Sequence, residues 1–332
     1  MSPNRRRLVG GIDLGGTKIQ AVLLDGRRQV VGEAKRPTPA RGGGKAVLQA
    51  LGATLAEVCT GAGVETRHLA GVGVGSPGAI DGRRGIVSGA RNLPGGGAPI
   101  RMAAGLKRLA GTPAYIDNDV TVGVHAEYVL GAAQSAKSLL GVWWGTGVGG
   151  GLVLDGKKWE GRGAAGELGH VVVKVGGAKC TCGRFGCLEA YAGRGAMELR
   201  ARHLHKRGHK TDLFKIMEKR ERTRLQSGIW ARALDHEDPM AIELIDRAIE
   251  ALGAGIASSV NLLDVSSVVI GGGLGTRLGE PYVARIREAM QPHLFVDDNP
   301  PTVALAALGD LGGAIGAALL VPPGPPQRRA RR

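Results

Sequence analysis

Two stretches set 130 residues apart decide how this chain is read: GIDLGGTKIQAVLLDG at residues 11–26 and GVWWGTGVGGGLVLDG at residues 141–156. They align without a gap, so that Gly11, Gly15, Leu24, Asp25 and Gly26 match Gly141, Gly145, Leu154, Asp155 and Gly156. In each, apolar β-formers flank a glycine-rich centre that cannot continue either run, which predicts strand, tight turn, strand. Two copies imply a duplicated α/β lobe with one glycine turn from each copy facing a central cleft. The alternative is a chance likeness between Gly-rich hairpins.

The first turn, Asp13-Leu14-Gly15-Gly16-Thr17-Lys18, combines an acid at a strand end, two glycines that expose backbone N–H groups, and a hydroxyl. Successive exposed amides make an anion nest, and the acid can hold Mg²⁺ through water. The spacing is neither that of a Walker loop nor that of a dinucleotide fingerprint. Alone, this turn reads equally well as a hairpin without a ligand. The second turn, Gly145-Thr146-Gly147, shifts the balance, because two amide-rich turns in matching places can clasp one triphosphate from both sides.

Composition bounds the rest. Gly contributes 57 of 332 residues, far above the usual ~7%, with no collagen-like period. These glycines must serve turns and close backbone approaches. Aromatics are only 3%, which weakens readings based on stacked bases or an aromatic sugar platform. The net charge of +15 raises the prior for a polyanionic partner, but Arg5, Arg6, Arg7, Arg328, Arg329, Arg331 and Arg332 crowd the two ends. A nucleic-acid partner is therefore not expected. No run of 18 apolar residues and no secretory leader pattern are present, so a cytoplasmic protein without membrane contact is expected.

Along the chain, helices are expected at 45–60 and 101–110, with strands at 69–75, 113–117 and 267–270. A helical block should cover about 189–259, within which 205–238, the most polar part, is expected to be an exposed insertion. A small lobe is expected over 1–118, joined by a C-terminal helix at about 304–321. The large lobe should take 119–303, and 322–332, rich in Pro and Arg, should be a disordered basic tail.

Asp117-Asn118-Asp119 joins a strand to a helix running to about Leu130. One such side chain suffices as an N-cap, and three are supplied. A carboxylate at a helix start can also take the proton of a substrate hydroxyl as that oxygen attacks phosphorus, the role favoured here for Asp119. The strongest local signal is His170-x9-Cys180-x-Cys182-x4-Cys187, with Gly183 and Gly186 letting the loop close. One imidazole and three thiolates make a closed tetrahedral zinc site, structural because no coordination position stays open; three buried free thiols are the alternative. Cys59 stands alone and reads as a small core residue. Glu167 and Glu189 flank the loop, placed to grip adjacent sugar hydroxyls once a metal pins it, unless they serve only as surface ion-pair partners.

Taken in order, Asp13 to Lys18, Ser76-Pro77-Gly78, Asn118-Asp119, Gly145-Thr146-Gly147, Glu167-Leu168-Gly169-His170, the run Cys180 to Glu189 and Gly271-Gly272-Gly273 resemble the ROK family (repressor, open reading frame, kinase), and within it the bacterial glucokinases. The resemblance spans about residues 8–320. It implies an actin-like, ribonuclease H-like ATPase fold of two lobes, with ATP, Mg²⁺ and a structural Zn²⁺. It further implies Asp119 as catalytic base on the sugar hydroxymethyl, and sugar contacts from Gly78, Asn92, Asn118, Glu167, His170 and Glu189, with His170 bridging zinc and sugar through different nitrogens. Asp13, Gly15, Gly16, Thr17, Lys18, Gly145, Thr146 and Gly147 take the phosphate and Mg²⁺ positions, and Gly272 with Gly273 the adenosine side. The metal ligands are His170, Cys180, Cys182 and Cys187. Where the family often carries Trp after its Asn-Leu-x-Gly turn, this chain has Gly96.

The expected activity is ATP-dependent phosphorylation of glucose at its 6-hydroxyl, with lobe closure excluding water. Another hexose (N-acetylmannosamine, N-acetylglucosamine, mannose or fructose) shares nearly every motif, and polyphosphate is an alternative donor. A sugar-responsive repressor of the same family would carry a helix-turn-helix before the first turn, and only twelve residues precede Asp13. A homodimer or higher homo-oligomer is expected, as is common in the family.

Overall fold

In the computed structural model, which describes residues 7–90 and 92–324, strand β1 (Val9–Leu14) turns into antiparallel β2 (Lys18–Leu24), followed by β3 (Val30–Pro37). Helix α1 (Gly43–Gly61) leads to β4 (Val72–Ser76), the short hairpin β5 (Ala79–Asp81) and β6 (Ile86–Ser88), α2 (Met102–Ala110), β7 (Ala114–Asn118) and α3 (Asp119–Leu130). The chain then repeats the pattern. Strand β8 (Leu139–Trp144) turns into antiparallel β9 (Val148–Leu154) and β10 (Lys157–Lys158), and helices α4 (Glu189–Ala192), α5 (Arg194–Lys206), α6 (Leu213–Lys219), α7 (Ser227–Asp235) and α8 (Pro239–Leu263) follow. Strand β11 (Ser267–Gly271), α9 (Gly272–Leu278), α10 (Glu280–Met290), β12 (Thr302–Leu305) and α11 (Gly312–Ala318) complete it.

The two five-stranded sheets have the same order, β3-β2-β1-β4-β7 and β10-β9-β8-β11-β12, with an antiparallel hairpin half and a parallel half in each. Both ends of β1 and β2 recur in β8 and β9 at the same displacement that relates the two sequence stretches. This is the duplicated ribonuclease H-like unit of the actin-like fold.

Two compact units result, residues 1–126 with 310–332, and residues 127–309. The division falls inside α3 instead of at its start, and the chain returns to the first unit at 310 because β12 pairs with β11 in the second sheet. Glu127, buried in the second unit, accepts the amides of Ala132, Ala307 and Leu308 and so ties the end of α3 to the segment after β12. Most of the expected basic tail, from residue 325 on, lies outside the described residues.

In the first unit, α1 presents Val47, Leu51, Leu55 and Val58 at helical spacing to one face of the sheet, where they join Ile19, Leu23, Val72, Met102 and Leu106. Cys59 lies in this core, and burial pushes its thiol up to about 11. The opposite face shows where glycine is required. A side chain on Gly11 would overlap the Ala314 carbonyl, and one on Gly73 the Ala317 carbonyl, so α11 lies directly on the strand backbones.

The second unit has its own core around Trp144, Trp230, Leu252 and Ile256. Helix α8 starts on an Asp238 cap that accepts the Ala241 amide at 2.8 Å, with Pro239 in its first turn. The expectation of an exposed insertion at 205–238 is corrected here: Leu213, Leu225, Ile229, Trp230 and Ala233 are buried in this core. Many of that segment's charges stay exposed, while Asp238 is buried as a cap, and Glu198, itself buried, draws Arg224 and the Leu225 amide inward. Among the described residues no helix is long and apolar enough to cross a membrane.

Candidate active site and metal centre

Strand β1 delivers Asp13 to the edge of the first glycine turn, where the Gly15 amide donates to the Lys18 carbonyl at 2.9 Å and closes the hairpin. The Asp13 carboxyl lies against Gly313, at the start of α11, where any side chain would collide with it. Burial, and then the charge of Asp119, push Asp13 up to about 7, partly countered by Lys18. Lys18 itself pairs with Asp310 at 3.2 Å and reaches Gln20 at the same distance. Asp13, Asp119 and Lys18 are therefore brought together in the first unit.

Asn118 caps α3: its Oδ1 accepts the amides of Val120 at 3.0 Å and Thr121 at 3.2 Å. The structure thus assigns the capping role to Asn118. The Asp119 Oδ1 also takes the Val120 amide at 3.0 Å, which leaves Oδ2 for other work. Burial raises the Asp119 carboxyl above its ordinary 3.8, against the lowering effect of that amide. Gly16 lies against Asn92, whose side-chain nitrogen is 3.3 Å from where a Cβ would stand. Gly78, at φ 97°, presses on Ser88 and Ala90 just upstream of Asn92. Gly95, Gly96 and Gly97 all have left-handed backbone, at φ 107°, 66° and 88°. A Trp at position 96 would be strained there, so the departure from the family pattern is built into the loop.

An acid whose folded pKa is raised weakens the fold as pH rises. Between about 4 and 7 the unfolded chain releases a proton that folded Asp13 retains, and the loss is complete above about 7. In metal-free buffer at pH 8, Asp13→Asn should therefore stabilise the protein by roughly 2 to 4 kcal/mol, at about 1.4 kcal/mol for each pH unit between about 4 and 7. Thermal melts at pH 5 and pH 8 check this: the gap between variant and wild type should widen with pH, and an equal gap would refute it.

In the second unit, the amides of Arg194 and Gly195 at the start of α5 donate to the carbonyls of Gly145 (3.1 Å) and Thr146 (2.9 Å), clamping the second turn. The Arg194 guanidinium reaches Thr146 Oγ1 at 2.7 Å and Ser227 Oγ at 3.2 Å. Gly145 faces the Gly273 amide, 3.7 Å from where a Cβ would stand, and Gly272, at φ 82°, packs on the Trp144 backbone. Gly145, Thr146, Gly147, Gly272 and Gly273 thus share one wall. A cavity of 730 Å³ opens beside it, lined by Thr146, Gly147, Thr181, Glu189, Arg202 and Arg224 among others.

His170 stands in the short helical turn Leu168–His170, opposite the Cys loop, and the ligand atoms of His170, Cys180, Cys182 and Cys187 all lie within 4.8 Å of one another. A tetrahedral zinc with Zn–S of about 2.3 Å separates its ligands by about 3.8 Å. Cys182 and Cys187 Sγ atoms are 3.8 Å apart, and Cys180 Sγ is 3.9 Å from His170 Nδ1, so the cluster fits. The Arg184 amide draws the Cys182 thiol down to about 6, while burial pushes Cys187 up to about 11. His170 turns its other nitrogen, Nε2, toward Glu167 at 3.8 Å. Glu189 ties the loop to the second turn: Oε1 accepts from Thr181 at 3.1 Å and Oε2 from the Val148 amide at 3.0 Å.

Arg194 and Ser227 had no signal in the sequence. Their partners are 48 and 33 residues away, and neither belongs to a recognisable motif.

Comparison with known proteins shows the family and the fold. A family model described as ROK family matches residues 9–323. The chain is 30% identical to a glucokinase of Thermotoga maritima over 94% of its length and 96% of the relative's. It is 32% identical to the N-acetylgalactosamine kinase AgaK of a Shewanella species, over 93% and 95% of the two chains. Among solved structures, the ROK hexokinase of Thermus thermophilus superposes with a TM-score of 0.77 at 35% identity, covering 94% of this chain and 97% of that one. A ROK family glucokinase of Streptomyces griseus, solved in complex with glucose and AMPPNP, superposes with a TM-score of 0.77 at 28% identity, covering 94% and 98%.

Proposed function

This chain belongs to the ROK family, and on that premise we propose that it is an ATP-dependent sugar kinase that phosphorylates glucose at the 6-hydroxyl. The observation that carries this reading is a carboxylate at the start of α3 that the helix does not need, beside a second buried acid and an amide-rich turn.

Asp119 would accept the proton of the sugar hydroxyl through Oδ2 as that oxygen attacks the terminal phosphorus. Asn92, Asn118 and Gly78 in the first unit, and Glu167, His170 and Glu189 in the second, would hold the sugar. The Glu189 carboxylate accepts Thr181 and the Val148 amide, with the Cys180 sulfur 4.0 Å from Oε1, and has lone pairs left for hydroxyls. The amides of Gly16, Thr17, Thr146 and Gly147 would bind the phosphates, Gly15 and Gly145 would shape the turns, their own amides closing the hairpins on the Lys18 and Gly147 carbonyls, and Gly272 and Gly273 would face the adenosine. Asp13 fits Mg²⁺, because a carboxyl raised to about 7 by burial and a neighbouring acid gains from a cation beside it. Mg²⁺ would offset charge on the phosphate oxygens. His170, Cys180, Cys182 and Cys187 would hold one structural Zn²⁺.

Protonated Asp119 cannot act as a base, so kcat/KM for the sugar should fall on the acid side with an apparent pKa above 3.8. The value read belongs to the Asp13–Asp119 pair, since the two charges interact. A pH–rate profile flat down to pH 4 would contradict this.

Substrate choice is tested by ADP release across glucose, mannose, fructose and the N-acetylhexosamines, with ATP and polyphosphate as donors. Glucose with ATP should give the highest kcat/KM. An N-acetylhexosamine in first place would favour the second reading, supported by 32% identity to an N-acetylgalactosamine kinase.

A further inference from the structure

Arg194 is a cation held beside the second glycine turn by hydroxyls instead of carboxylates. Its Nη2 donates to Thr146 Oγ1 at 2.7 Å and its Nη1 to Ser227 Oγ at 3.2 Å. Glu198, the acid whose charge it feels, is already engaged by Arg202 at 2.7 Å, Arg224 at 3.2 Å and the Leu225 amide at 3.0 Å. Burial holds the guanidinium below its ordinary value. The site therefore carries a partly desolvated positive charge that no carboxylate pairs among the described residues, a counter-charge an arriving anion would supply.

The hydrogen-bond inventory sharpens this. A guanidinium only donates, so each hydroxyl receives it on a lone pair and keeps its own O–H to give elsewhere. Thr146 and Ser227 are thereby set as donors. They stand on the wall already described, since Gly273 lies against Ser227 Oγ, 3.8 Å from where a Cβ would be, and Gly145 against the Gly273 amide. Two hydroxyl donors and a cation that no carboxylate pairs among the described residues together match a ligand that only accepts and carries negative charge. A phosphate chain is such a ligand.

Building on the kinase reading, we infer that Arg194 is a positioning residue for the nucleotide: it turns the Thr146 and Ser227 hydroxyls toward the phosphate chain and backs them with positive charge. Nothing in this role touches the sugar. The forked geometry matters as much as the charge, because two hydroxyls are aimed at once.

The test uses the full chain with Arg194→Met, Arg194→Lys, Ser227→Ala and the Arg194→Met/Ser227→Ala double variant. Steady-state constants for ATP are read alongside calorimetric Kd values for ADP and, without nucleotide, for glucose. Arg194→Met should lower kcat/KM for ATP and weaken ADP by about 10- to 100-fold, the range for hydrogen bonds to charged groups, with the glucose Kd unchanged. Arg194→Lys should recover only part of the ADP affinity. Ser227→Ala should cost about 5- to 10-fold alone and little in the Arg194→Met background, because the two act as a unit.

Wild-type nucleotide constants in folded Arg194→Met would overturn the inference, and so would equal losses of ADP and glucose affinity, which mark a merely structural role. If Arg194→Met does not fold, unchanged ADP affinity in both Arg194→Lys and Ser227→Ala overturns it. A wild-type protein that binds ADP but phosphorylates no sugar defeats the kinase reading, while the ADP series still decides the role of Arg194.

Discussion

Asp119→Asn should bind sugar as the wild type does and transfer phosphoryl groups at least ~10²- to 10⁴-fold more slowly, the usual loss for a general base. The substitution keeps the shape of the side chain and an oxygen that can still accept the Val120 amide. Helix α3 keeps its start because Asn118, not Asp119, supplies the cap. What disappears is the ability to take a proton, together with a buried charge whose pKa is raised. The fold should therefore not suffer, and a slow variant cannot be dismissed as unfolded. Steady-state kinetics with calorimetric sugar titration check both halves: near-normal turnover would remove Asp119 from its assigned role.

Cys182→Ser should lose the metal and with it most of the sugar affinity. Purified wild type should hold about one zinc per chain, and the variant should hold none, since a serine hydroxyl does not replace a thiolate at neutral pH. The loss reaches the sugar through named contacts. Thr181, next to Cys182, donates to Glu189, and His170 faces the cysteines with one nitrogen and Glu167 with the other. Releasing the loop frees the second unit's three proposed sugar ligands at once, so the sugar Kd should rise at least 10- to 100-fold, the range seen when groups supporting a metal site are removed. Metal analysis and sugar calorimetry measure this. A metal-free protein with full sugar affinity would refute the zinc assignment.

Several features were legible from the sequence because the physics left few residue choices. The twin hairpins at a fixed displacement required glycine at each turn, and the two sheets share one strand order as the duplication implied. The candidate metal cluster was legible because a closed site needs those donor types on a short loop, and the structure gathers all four side chains. The Asp117-Asn118-Asp119 run favoured Asp119 as the base without saying which neighbour caps the helix, and only the structure shows Asn118 taking the amides.

The segment 205–238 misled because its many charges hide apolar residues spread over two short helices and the loop between them: Leu213, Leu225, Ile229 and Trp230 are all buried. Arg194 and Ser227 were invisible for another reason. Their significance lies in a long-range hydrogen-bond pattern, and no spacing along the chain records which hydroxyl a guanidinium will find. Gly96 was noted only as standing where the family often carries Trp, whereas its left-handed backbone, shared with Gly95 and Gly97, shows a loop shaped for glycine.

Phosphorus NMR of the purified protein with glucose, ATP and Mg²⁺ bears most directly on the whole proposal. A single sugar 6-phosphate resonance should grow in step with ADP, and should grow at least ~10²-fold more slowly with Asp119→Asn. ADP without a sugar phosphate, phosphate placed on another hydroxyl, or equal rates in the two proteins would contradict it.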